Sequence, residues 1–198
     1  VSYFKKENDL VKGVIDENGN YYEADFIIVS IGIDLNTELV KDLNFNINNG
    51  IVTDEYLETN IKDVFAAGDI ANFYNPIFKR HIRVEHYDVA VKHGKYAGIN
   101  MVNKSQECNF LPYFFSFMFD LNINVYGVIP RNPTIVKRVY EPEKKRIMQF
   151  YLKDGIVEGV LTINYYEEIN EAKEIIKRKL SIDNPEILEN KPLKEILK

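Results

Sequence analysis

Thr59-Asn60-Ile61-Lys62-Asp63-Val64-Phe65-Ala66-Ala67-Gly68-Asp69 contains a threonine, a short polar bend, an apolar strand, and a Gly-Asp pair where that strand stops. An acidic side chain just past a glycine at a strand C-terminus lies where ligands bind in open α/β folds. There it can accept hydrogen bonds from ribose-like hydroxyls. The same two residues also favour turns for purely local reasons. Residues 59–69 therefore leave a nucleotide site and an ordinary Gly-Asp turn both open.

Upstream, Leu10–Ile15 and Tyr21–Ala24 flank Asp16-Glu17-Asn18-Gly19, where Asn-Gly supplies the positive φ angles of a tight hairpin. Phe26-Ile27-Ile28-Val29-Ser30-Ile31 is apolar but for one serine, which predicts a strand covered on both faces and ended by Gly32. A short helix over Asn36–Leu43 and a short strand over Gly50–Asp54 lead into the Gly-Asp segment. Downstream, Val84, Tyr87, Val91, Gly94, Gly98 and Met101 recur at threes and fours, predicting a helix from Val84 to about Val102. Glycine costs a helix about 1 kcal/mol per residue, so the small residues Ala90, Gly94, Ala97 and Gly98 imply close packing on a neighbour. Phe110–Tyr126 is rich in aromatic residues, and the cluster Phe110–Phe119 is expected to be mostly core. Thr134–Tyr140, Arg146–Leu152 and Ile156–Ile163 predict an antiparallel meander, followed by an amphipathic helix over Glu167–Leu180 and a short helix near Leu193–Leu197.

The 198 residues carry a formal charge of −5 with no basic stripe, which argues against nucleic acid as a partner. Cys108 is the only cysteine, so an internal disulfide, a CxxC redox pair and a cysteine zinc site are excluded, and Cys108 is expected to be inert. His81, His86 and His93 do not share one helical face, and no metal site is expected. No apolar run approaches a membrane span and no secretory pattern opens the chain, so a cytoplasmic location is expected. The chain begins at Val1 directly in a hairpin arm, as a fragment would.

In order, VSIGIDLN, TNIKDVFAAGD, RVEHYDVAVKHGKYAGINM, FFSFMFDLNINVYG and MQFYLKDGIVEGVLTIN resemble the FAD-dependent NAD(P)H oxidoreductases of the ferredoxin and rubredoxin reductase type, which include the apoptosis-inducing factor flavoproteins. The likeness runs from about Leu10 to Leu197 and covers only the C-terminal half of that family, without its two glycine-rich dinucleotide loops. It implies a mixed α/β and α+β fold: the tail of an NAD(P)H domain (residues 1–43), the last part of an FAD domain (44–108), and an interface or dimerisation domain of antiparallel sheet plus helix (109–198).

By the same resemblance Asp69 binds the ribityl chain of FAD, and Gly68 lets the backbone come close. Glu85 and His86 lie on the nicotinamide side, Tyr87 and Phe115 lie beside the flavin, and Gly32 belongs to the NAD(P)H part. A reduced flavin is negative around N1 and C2=O, so the positive end of the Val84–Val102 helix, if pointed at it, would stabilise it. The implied co-substrate is NAD(P)H. The implied acceptor is a ferredoxin, a rubredoxin or a small molecule, and the implied assembly is a homodimer. Phe117 and Met118 depart from the acidic and amide residues common in ferredoxin reductases, as does Leu35 from the usual proline. No histidine follows His93, which disfavours glutathione- or lipoamide-type chemistry. Each residue also has a plainer reading: Asp69 as a turn residue, His86 as a hydrogen-bond partner, Glu85 as a first-turn helix acid. The alternative function is a non-catalytic self-association module that does not hold FAD alone.

Overall fold

Residues 1–198 are described by a computed structural model, and they divide into two compact units, 1–34 and 35–198. In the first unit β1 (Tyr3–Glu7), β2 (Leu10–Ile15) and β3 (Tyr21–Glu23) form an antiparallel sheet in that order. Asn8 and Asp9 take φ of 50° and 62°, the left-handed pair that a two-residue hairpin requires and that Asn and Asp tolerate. The β2–β3 turn differs from the expected tight Asn-Gly turn. Only Gly19 is left-handed there, and the Asp16 carboxylate closes a longer loop by accepting from the Asn18 and Asn20 amides, both at 2.9 Å.

Phe26–Ile31 does not form the expected covered strand. It joins no sheet, and Phe26, Ile28 and Ile31 are 73%, 80% and 90% exposed. A strand exists only through its ladder, and no other segment of these residues pairs with this one.

The second unit opens with a 3-10 turn at Glu38–Val40, shorter than the expected helix. β4 (Ile51–Thr53) pairs parallel with β5 (Ala71–Asn75), which pairs antiparallel with β6 (Arg80–Ile82). The apolar stretch before Gly68 is not a ladder strand. It is held by a single bridge between Glu58 and Phe65 and by the Ala66 amide donating to the Leu57 carbonyl. β5 carries Asn72 and Asn75 and β6 carries Arg80 and His81, a polar composition that gives no strand signal in the sequence.

Helix α1 (Tyr87–Val102) starts three residues after the expected point and buries a different face. Val89, His93, Ala97 and Asn100 point inward, whereas Tyr87, Val91, Gly94, Gly98 and Met101 are exposed. A Cβ built on Gly94 or Gly98 meets nothing within 4 Å, so the expected close packing of both glycines is absent in this chain.

The C-terminal meander forms as expected from β9 (Thr134–Glu141), β10 (Arg146–Lys153) and β11 (Ile156–Ile163). The aromatic zone supplies two further strands, β7 (Tyr113–Met118) and β8 (Leu121–Gly127), giving the sheet order β7-β8-β11-β10-β9. Its tip departs from the core expectation: Phe117 and Phe119 are 69% and 102% exposed. Helix α2 (Ile169–Arg178) covers the sheet with Ala172, Ile175 and Ile176. Short helices α3 (Glu186–Asn190) and α4 (Leu193–Ile196) add the fully buried Leu188 and Leu193. Arg138 fastens α3 and the residue that follows it. It forks onto Glu168 with two 2.7 Å bonds and donates to the carbonyls of Leu188 and Lys191. One core runs from Leu57, Phe73 and Ala97 through Met148 and Phe150 to Ile175 and Ile176. Cys108 is wholly buried in it, and burial pushes its thiol up to about 12, which leaves it inert at neutral pH.

Candidate functional site

Gly68–Ile70 forms a 3-10 turn lying against α1. Gly68 has φ +80°, and a Cβ placed on it would meet only the Ala90 Cβ at 3.7 Å. Glycine serves the left-handed angle here and leaves open space beside the backbone. The Gly68 amide donates to His93 Nδ1 at 3.2 Å. Asp69 is exposed, and its carboxylate has no hydrogen bond or ion pair, while its carbonyl accepts from Arg83 at 3.1 Å. An acid that only served a turn would turn its oxygens on nearby amides, as Asp16 does. Those of Asp69 are available to a ligand.

His86 sits at the N-cap of α1 in extended conformation. Its Nδ1 accepts from the Asp88 amide at 3.2 Å. Its Nε2 lies 3.3 Å from both the amide nitrogen and the carbonyl oxygen of Phe115, and the two rings meet edge-on at 5.1 Å. His86 and Phe115, 29 residues apart in sequence, are therefore brought together. Arg83 is the organiser that the sequence motif contained without assigning it a role. It pairs with Glu85 at 2.6 Å, donates to the Asp69 carbonyl, and reaches the Asn49 side chain at 3.3 Å. Glu85 is thus committed to Arg83, and Tyr87 stands 74% exposed beside it. Gly32 belongs to the first unit, where it is exposed with φ +100°.

His93 was missed as part of this arrangement, since only folding puts it against Gly68. It is fully buried, its Nε2 has no partner, and burial pulls its pKa down to about 4. The folded state therefore binds this proton less readily than the unfolded chain. Stability attributable to His93 is complete above pH 6.5 and is lost as pH falls toward 4, by up to about 3 kcal/mol. Urea unfolding at pH 7.5 and pH 4.5 checks this: His93→Gln, which keeps an acceptor but does not titrate, should show a shallower pH dependence than the parent.

The site residues fit a flavin nucleotide on two counts. Asp69 offers an unpaired carboxylate for ribityl hydroxyls, and the space above Gly68 is open. The first amides of α1, next to His86, have the partial positive charge that suits an anionic group. Among these residues there is no group of three or more His, Cys, Asp or Glu placed to hold a metal ion. No helix is long and apolar enough to cross a membrane.

A family model described as pyridine nucleotide-disulphide oxidoreductase matches residues 1–94, and one described as reductase C-terminal matches residues 113–197. Putidaredoxin reductase of Pseudomonas putida is 29% identical over 191 residues, covering 94% of this chain and 44% of its own length. Monodehydroascorbate reductase of Solanum lycopersicum is 31% identical, covering 87% of this chain and 41% of its own. The solved covalent putidaredoxin reductase–putidaredoxin complex superposes with a TM-score of 0.84 at 28% identity, over 98% of this chain and 47% of that chain. The chain thus spans less than half the length of these relatives.

Proposed function

The chain belongs to the pyridine nucleotide-disulphide oxidoreductases, and from that premise we propose that it supplies the flavin-facing part of an FAD-dependent NAD(P)H oxidoreductase. The observation that carries this reading is the unpaired Asp69 carboxylate beside the open backbone of Gly68, next to the first turns of α1. FAD, when bound, accepts reducing equivalents from NAD(P)H and passes them to an acceptor.

Each residue then has a defined task. Asp69 accepts hydrogen bonds from the ribityl hydroxyls, and Gly68 keeps the approach free of a side chain. Arg83 fixes the Asp69 backbone and holds Glu85 at the nicotinamide side. His86 caps α1 and, through the Phe115 backbone, locks β7 against the helix start, so that Phe115 walls the ring and Tyr87 flanks it. In the same reading residues 1–43, with Gly32, end the NAD(P)H part, 44–108 end the FAD part, and 109–198 form the interface domain of a homodimer working in the cytoplasm.

The acceptor is a ferredoxin, a rubredoxin or a small molecule. The relatives named as acting on putidaredoxin and on monodehydroascorbate support both kinds. The exposed Phe26–Ile31 segment and the exposed face of α1 favour a second reading, a self-associating module without flavin.

Titrating FAD into the purified chain and following flavin fluorescence separates the two readings. Because the 198 residues contain no GxGxxG loop, binding is expected to be weak. Asp69→Ala should weaken it further, by about tenfold, the loss of charge-assisted hydrogen bonds to the ligand. A chain that quenches no flavin fluorescence and sediments as a dimer would support the module.

A further inference from the structure

Apart from the Gly68–Asp69 site, the structure contains a cleft of about 860 Å³ between α1, the segment before β7, and α2. Three lysines from two helices converge on it, Lys92 from α1 and Lys173 and Lys177 from α2, and no carboxylate lines it. Its walls are aromatic: Phe110, Tyr113 and Tyr126, the two tyrosines stacked at 4.9 Å and nearly parallel. Lys92 and Lys177 each have a carboxylate at hand, Asp88 at 2.5 Å and Glu174 at 3.1 Å. Lys173 has none. Its ammonium sits 4.4 Å above the Tyr126 ring.

We propose that this cleft binds an organic anion with an aromatic body, its acidic group meeting Lys173 and its ring lying against the tyrosine pair. The volume falls within the range of small-molecule sites, and apolar walls with a few converging charges are their usual composition. A cation held over an aromatic face with its other side open is ready to meet an anion without first breaking a salt bridge. Burial, and then the neighbouring Lys177 and Lys92, push the Lys173 pKa down, so an anion entering the cleft relieves an unfavourable cluster of like charge.

The probe is naphthalene-2-carboxylate, with neutral naphthalene-2-carboxamide as its control, titrated calorimetrically into the 198-residue chain. The carboxylate should bind at least about tenfold more tightly than the carboxamide, and Lys173→Glu should remove that preference. Lys173→Arg should keep it. Lys95→Glu, a charge reversal on the exposed side of α1, should leave it unchanged. Circular dichroism identifies any variant that has not folded. Equal binding of the two probes, no binding of the carboxylate, or an unaltered preference in folded Lys173→Glu overturns the proposal. FAD affinity at Asp69 should be the same in Lys173→Glu and the parent, so the two sites fail or stand separately.

Discussion

Replacing Gly127 by alanine is expected to destabilise the second unit by about 3 kcal/mol or more. Gly127 ends β8 with φ +84°, and a Cβ there would lie 2.2 Å from the Glu158 carbonyl oxygen. Gly159 is its ladder partner, and a Cβ on that residue would lie 2.4 Å from the Val128 carbonyl oxygen. Two facing glycines thus let β8 and β11 approach where the Val128 amide donates to Glu158 at 2.9 Å. Backbone, not a flexible side chain, is what the methyl would strike, so the strands must separate. The shift would reach the half-buried pair of Arg80 with Glu158, whose two hydrogen bonds of 2.5 and 2.8 Å tie β6 to β11. Thermal unfolding should show a midpoint lower by about 6–12 °C for a domain of this size. Gly94→Ala, in the exposed interior of α1 with nothing near the new methyl, should instead gain about 0.5–1 kcal/mol. Similar midpoints for the two variants would show that the approach of β8 and β11 is not as tight as described.

Asn100→Ala is expected to cost about 2–4 kcal/mol, although it removes only a small polar side chain. Asn100 is 3% exposed on the inner face of α1. Its Nδ2 donates to the carbonyls of Tyr56 and Gln106 at 2.9 and 2.8 Å, and its Oδ1 accepts from the amides of Ser105 and Gln106 at 3.1 and 3.0 Å. One side chain therefore satisfies four backbone partners and fixes the turn after α1 to the loop that follows β4. Truncation removes all four bonds of this partly buried cluster at once, which costs more than one average hydrogen bond contributes. Hydrogen exchange should show the Ser105 and Gln106 amides losing protection first. A variant with unchanged midpoint and unchanged exchange would contradict this role.

Asn100 and His93 also show why the sequence gives the right helix and the wrong face. Apolar counting selects Tyr87, Val91, Gly94, Gly98 and Met101, whereas the inner face carries a histidine and an asparagine that become core residues only through partners 25 and 44 positions away. The C-terminal meander was legible because alternation and its turns are local. That β7 and β8 would extend the same sheet was not, since nothing local shows that β8 pairs with β11. Phe26–Ile31 reads as a covered strand because its composition is one, but composition does not supply a neighbour. At the site, Gly68 and Asp69 stood out by residue type and position, and His86 through the family resemblance. The part played by Arg83 did not, because its three contacts bring together Asn49, Asp69 and Glu85 only after folding.

The most direct test of the flavin reading is to map FAD on the isotope-labelled chain by amide chemical shifts, which reports the location even of weak binding. Saturable shifts are expected at Gly68–Ile70 and at His86–Val89 of the α1 start, absent in Asp69→Ala. Shifts confined to other segments, or unchanged by Asp69→Ala, would contradict it.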